Sequence, residues 1–129
     1  MIDRFTYLDL EDALVLAGRL LGEPPPVRDV GLLGSAIVRP QMSVGGTDAY
    51  PTIWLKAAAL LESIVDNHPL VDGNKRLGWL ATAVFLELNS TSVIDASNAD
   101  IFDLVIEVAS SNLPLEEIAQ RLSELRPVR

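Results

Sequence analysis

Apolar residues recur along most of this chain at spacings of three and four, the period that gathers side chains on one face of an α-helix. No window sustains apolar–polar alternation, and Leu and Ala, both strong helix formers, dominate the apolar positions. The first amphipathic segment is Leu10–Leu21, with Leu10, Ala13, Leu14, Ala17, Leu20 and Leu21 on its apolar face. Asp9 fits its N-cap, with Asp12 three residues on, and Gly22 fits its stop. Pro24-Pro25-Pro26 then excludes helix and forces an extended link. Asp29 caps a second helix through Val38, with Leu32, Leu33, Ala36 and Ile37 apolar, and Pro40 ends it. The segment Gln41–Tyr50 contains Gly45-Gly46 and few apolar anchors, which predicts a mobile loop or a small hairpin.

Pro51 suits the first turn of a third helix reaching about Asp66, with Ile53, Ala57, Leu60, Leu61 and Ile64 inward. After a short loop, His68–Asp72, a fourth helix starts near Gly73 and reaches about Leu88. Its stripe is Leu77, Leu80, Ala81, Val84, Phe85 and Leu88. It is apolar on almost every side, which predicts the central helix. Ser97 with Asp100 reads as a capping-box-like start for a fifth helix to about Ser110. Pro114 opens a sixth, with Leu115, Ile118, Ala119, Leu122 and Leu125 inward. The prediction is an all-α, single-domain bundle of about six helices over residues 1–129, without repeats or an internal boundary.

Composition narrows the class. Ten Lys plus Arg stand against eighteen Asp plus Glu, a formal charge of -8, which argues against broad nucleic-acid binding. There is no cysteine and one histidine, so disulfides, thiolate sites and multi-histidine zinc sites are excluded. The longest strongly apolar run, Leu77–Leu86, is ten residues, about half of what a bilayer span needs. Met1 is followed at once by Asp3 and Arg4, with no apolar stretch for a signal peptide, so a soluble cytosolic domain without membrane contact is expected. The mean hydropathy is nonetheless positive, +0.28. Either the core is large for the length or some apolar surface is meant for a partner.

The segment richest in chemistry is His68-Pro69-Leu70-Val71-Asp72-Gly73-Asn74-Lys75-Arg76, which runs into the N-terminus of the fourth helix. Free N–H groups and the helix dipole make such an end an anion site. Gly73 lets a phosphate approach the backbone. Lys75 and Arg76 place two cations where the dipole favours anions, a costly arrangement unless an anion lies between them. Asp72 is a hard oxygen ligand of the kind that holds Mg²⁺ together with phosphate oxygens and water. His68 can take a proton from a hydroxyl near neutral pH. A base, a magnesium carboxylate and a phosphate cradle describe phosphoryl or nucleotidyl transfer. Taken one by one, the same residues are also ordinary turn, cap and surface vocabulary.

Together they resemble the signature of the Fic/Doc superfamily, whose Fic form reads H-x-F-x-[DE]-G-N-G-R-x-x-R. The Doc form has Lys in place of the second Gly of that pattern, as Lys75 is here, and Trp79 stands where Fic enzymes carry a second Arg. Leu70 replaces the usual Phe as the apolar loop anchor. The order of helices and the chain length are similar to the Doc form as well.

The resemblance implies His68 as general base, Asp72 as the Mg²⁺ ligand, and Gly73, Asn74, Lys75 and Arg76 as the nucleotide phosphate site, with Lys75 and Arg76 also serving catalysis. It implies ATP as co-substrate, bound in Doc-type proteins with the γ-phosphate toward the base, and a threonine of elongation factor Tu as target. The product is a phosphoprotein and the consequence is arrest of translation. It further implies a toxin of a bacterial toxin–antitoxin pair, a cognate antitoxin whose helical tail lies in a surface groove, and a segment near Gln41–Tyr50 that positions the target by adding a strand. No internal inhibitory helix of the Fic type is present in the sequence, so control is expected from the separate antitoxin. Two other readings share the motif: AMP transfer in the Fic manner, and a non-catalytic module that only binds an antitoxin.

Overall fold

The protein is described here from a computed structural model that covers residues 4–110 and 112–125; Met1 and Asp3, read above for a leader, lie outside the described residues. Six α-helices follow in order: α1 Leu10–Leu21, α2 Val30–Val38, α3 Ile53–Asn67, α4 Asn74–Leu88, α5 Asn98–Ala109 and α6 Leu115–Glu124. A single 3₁₀ turn, Arg39–Gln41, carries Pro40 beyond the end of α2. A two-stranded antiparallel hairpin, β1 Ser43–Val44 with β2 Thr47–Asp48, occupies the segment before α3. Among the described residues no helix is long and apolar enough to cross a membrane.

The helix starts follow from side chains that take up orphan N–H groups. Asp9 and Asp12 form a reciprocal capping box at α1, Asp12 N–H to Asp9 Oδ1 at 2.8 Å and Asp9 N–H to Asp12 Oδ2 at 3.0 Å. Asp29 accepts from Leu32 N–H and Ser97 from Asp100 N–H. The third helix corrects the sequence reading. Pro51 lies before the helix, and Thr52 is the N-cap, its hydroxyl accepting from Leu55 N–H at 3.1 Å. A hydroxyl that captures a free N–H outweighs the fixed φ of proline as a start signal.

Buried side chains from all six helices form one cluster. Its centre differs from the expectation. The helix that packs against most of the others is α3, which touches α2, α4, α5, α6 and the 3₁₀ turn, whereas α4 packs on α3, α1 and the flank of α5. From Lys56 to Leu61 every residue of α3 is buried, while Leu88 of α4 faces solvent. The stretch Ala57-Ala58-Ala59 explains this, since small side chains let neighbours approach on every face. The two helices meet at Gly78, where a Cβ would lie 2.9 Å from Val65 Cγ2. That close approach fixes the angle at which α4 leaves the loop joining them.

Lys56 is the buried residue that the apolar pattern does not announce. It is fully buried in α3, with Nζ 3.2 Å from Pro40 O and 3.1 Å from Asp48 Oδ2. The ammonium also stands 4.7 Å from the centre of the Phe5 ring and 5.5 Å from that of Tyr7. A buried cation persists only with such partners. It ties the hairpin, whose strand residues are all exposed, to the core.

Lys56→Ala removes the cation and opens a cavity, with an expected loss of about 2–5 kcal/mol in urea unfolding. Lys56→Met refills the space, so it should recover most of that loss while amide exchange across residues 43–48 speeds up. Unchanged exchange in the Met variant would show that the hairpin holds itself.

Candidate active site

The joint between α3 and α4 carries the site. His68 is the C-cap of α3, in the left-handed region with φ 52° and ψ 56°. This conformation costs a non-glycine residue about 1–2 kcal/mol, so the surroundings must hold it. The imidazole Nδ1 lies 2.9 Å from Asp66 O. A carbonyl oxygen only accepts, so in the neutral ring Nδ1 carries the hydrogen and Nε2 carries the lone pair.

The following residues are stitched to the link after the three prolines. Val27 and Leu70 form an antiparallel bridge, and Val71 N–H reaches Pro26 O at 2.8 Å. The N–H groups of Arg28 and Asp29 both donate to Pro69 O, at 2.8 and 3.0 Å. Leu70 is 1% exposed and packs into the shared core, so the smaller apolar side chain sits inward at the anchor position.

The side chain of Asn74 is engaged within the loop. Its side chain is buried and turned back on the loop, Oδ1 accepting from Leu70 N–H at 2.9 Å and Nδ2 donating to Leu70 O at 3.0 Å. With both ends of the amide engaged, the part of Asn74 that faces an anion is its backbone N–H. Gly73 also has a reason other than phosphate approach. Its φ is 89°, and a Cβ there would stand 2.8 Å from Leu21 Cδ1, so α1 closes the space a side chain would need.

The start of α4 is built unlike those of α1, α2, α3 and α5. Gly73 is its N-cap and no side chain caps it; as in α2 and α3, its first turn has no acidic residue. The free N–H groups there and the positive end of the dipole remain available to an anion. Lys75 and Arg76 are exposed in that turn, and among the described residues neither pairs with a carboxylate. Asp72 is exposed as well, with Oδ1 accepting from Gly73 N–H at 2.9 Å, which leaves Oδ2 for a cation. Among the described residues no three carboxylates or imidazoles converge. A lone carboxylate fits Mg²⁺ held mainly by phosphate oxygens and water.

These side chains converge. His68, Asp72, Gly73, Asn74, Lys75 and Arg76 line one cavity of about 260 Å³, together with Val65, Val71 and Ala109. Lys75 and Arg76 also border a second, apolar cavity of about 380 Å³ between α1, α4 and α5, walled by Leu20, Trp79, Ile101, Phe102, Val105 and Ile106. Trp79 therefore belongs to this groove and not to the polar cavity. Sequence reasoning missed Arg28, Val65 and Ala109. The first lies forty residues from the carbonyls it bonds, and the other two are wall residues without chemistry of their own.

Below the site, Arg39 links the hairpin side to α3 through Tyr50 Oη at 2.9 Å, Glu62 Oε1 at 2.8 Å and Ser63 Oγ at 2.8 Å. Burial pulls its guanidinium pKa down, but the bonds to Glu62 and Tyr50 outweigh it and the net shift is upward.

Comparison with known proteins gives a family. The profile of the Fic/DOC family matches residues 5–86. Toxin Doc of Mycolicibacterium smegmatis (strain ATCC 700084 / mc(2)155) is 47% identical over 120 residues, covering 91% of each chain.

Asn74→Ala should leave the N–H and C=O of Leu70 buried without partners, with a loss of about 2–3 kcal/mol in chemical denaturation. A loss of a few tenths would mean that water replaces the amide and that the loop does not depend on it.

Proposed function

Because the chain belongs to the Fic/Doc family, we propose that it is the toxin of a bacterial toxin–antitoxin pair, acting in the cytoplasm as a protein kinase on a threonine of elongation factor Tu. Members of this family are typically transferases that act with a nucleotide such as ATP and a metal. The observation that carries the reading is the orientation of His68. The bond from Nδ1 to Asp66 O leaves Nε2 as the basic nitrogen, in the same cavity as an uncapped helix start and two unpaired cations.

In this reading the triphosphate of ATP lies on the N–H groups of the first turn of α4, between Lys75 and Arg76. Asp72 would hold Mg²⁺, which when bound neutralises phosphate charge. Nε2 of His68 takes the proton of the target hydroxyl as its oxygen bonds to the γ-phosphorus. The bond from that phosphorus to the bridging oxygen breaks, and ADP leaves with the electron pair. Lys75 adds charge where the Fic form has glycine, which favours the outer phosphates over the α-phosphate at the base. The exposed hairpin edge supports docking of an extended target segment, and the apolar groove beside Trp79 supports a helical antitoxin tail.

The test uses elongation factor Tu, Mg²⁺ and ATP labelled at either the α- or the γ-phosphate. Label should arrive from the γ position alone and fall at least a hundredfold with His68→Ala. Label from the α position would assign AMP transfer, with pyrophosphate leaving. Absence of both labels would favour a binding module. Lys75→Gly should lower γ transfer about tenfold or more, and unchanged transfer would remove Lys75 from the account.

A further inference from the structure

We propose that Arg28 is a positioning residue for His68, the clamp that holds the imidazole in its working orientation; this rests on His68 being the base in the reading above. The last carbonyls of a helix have no intrahelical donors and are commonly closed by N–H groups of the residues that follow. Here the next residue is Pro69, which has no N–H.

Arg28 supplies the missing donors from forty residues away. Its Nε donates to His68 O at 2.8 Å, and its Nη2 donates to both His68 O and Asn67 O, the latter at 3.1 Å. Its own backbone N–H donates to Pro69 O at 2.8 Å. Three consecutive carbonyls, those of residues 67, 68 and 69, are thus held by one residue.

The geometry matters more than the charge. A planar guanidinium that gives two N–H groups to one carbonyl fixes the orientation of the peptide between His68 and Pro69. That orientation is ψ of His68, which in turn directs the Cβ of a residue held at positive φ. Nδ1 meets Asp66 O only while this conformation lasts. Among the described residues Arg28 pairs with no carboxylate, so its guanidinium is committed to these carbonyls.

The chain has a single histidine, so its ring nitrogens can be read without assignment. Long-range ¹H–¹⁵N spectra of the full chain should show Nδ1 protonated and Nε2 unprotonated in the neutral ring of the wild type. In Arg28→Met the two tautomers should mix. Arg28→Lys, a point charge with one reaching nitrogen, should fall between. In the label-transfer assay the Met variant should lose between about tenfold and a hundredfold in kcat with KM for ATP within about twofold.

A wild-type tautomer pattern in a folded Arg28→Met overturns the proposal, and so does loss of the pattern without loss of kcat. If the Met variant fails to fold, Arg28→Lys carries the same decision. If elongation factor Tu accepts no label from the wild type, the kinase reading fails, while the tautomer spectra still decide whether Arg28 holds the ring.

Discussion

The end of α3 meets a proline, and the start of α4 meets a glycine without a side chain. Neither helix can therefore be closed by its immediate neighbours in the usual way. The rest of the site follows from how the chain meets that constraint. The carbonyl end is closed from outside, by Arg28 on the link after the three prolines. The loop between is held by Asn74, which grips Leu70 through both of its backbone groups. The amide end of α4 is left open. The start of α6 is also without a side-chain cap, but its first turn carries Glu116 and Glu117, whereas the first turn of α4 carries Lys75 and Arg76 beside His68.

The distribution of charge makes the same point. In a chain of charge -8 most cations have many carboxylates to choose from. Lys56 takes Asp48, Arg39 takes Glu62 and Arg121 takes Glu107. Among the described residues Arg4, Arg19, Arg28, Lys75 and Arg76 take none, and of these Lys75 and Arg76 stand in the first turn of a helix, where the dipole is least favourable to them. The local repulsion is tolerated because the packing of α4 on α3 and α1 holds the turn in place. On the proposed reading, an incoming polyanion would relieve it.

Much of this was legible in advance, for identifiable reasons. Helix periodicity marked all six helices, and side chains such as Asp9, Asp29 and Ser97 marked starts to the residue, because a cap is a local hydrogen bond between close neighbours in sequence. The candidate residues from His68 to Arg76 are close in sequence, and all of them except Leu70, which is buried in the core, line one cavity. What escaped was non-local. The centre of the bundle moved from α4 to α3 because burial depends on how closely neighbours approach, which a run of alanines permits and a hydropathy pattern underrates. The bonds from the Asn74 amide to both backbone groups of Leu70 escaped too, because they depend on how the loop closes. Lys56 and Arg28 act through residues that only the fold brings to them.

The positive mean hydropathy is now resolved in kind. The two explanations were a large core and an apolar surface meant for a partner; the structure shows a dense core and an apolar groove. Leu33, Leu60, Leu61, Ile64, Leu77 and Phe85 are buried to about the last ångström, as dense packing requires. Outside that core, most of the large exposed apolar residues, among them Val44, Val71 and Ile94, lie away from the groove, and two border it. Phe102, 64% exposed, and Ile106, 40% exposed, stand on the same helix one turn apart and wall the groove against Trp79. On a folded surface such residues lose hydrophobic free energy that burial would return, at about 25 cal/mol for each Å² covered. Paired at helical spacing around a concave wall, they form a continuous strip with room for a complementary apolar face. The strip ends at Lys75 and Arg76, so a single turn of α4 forms the boundary between the apolar groove and the polar cavity.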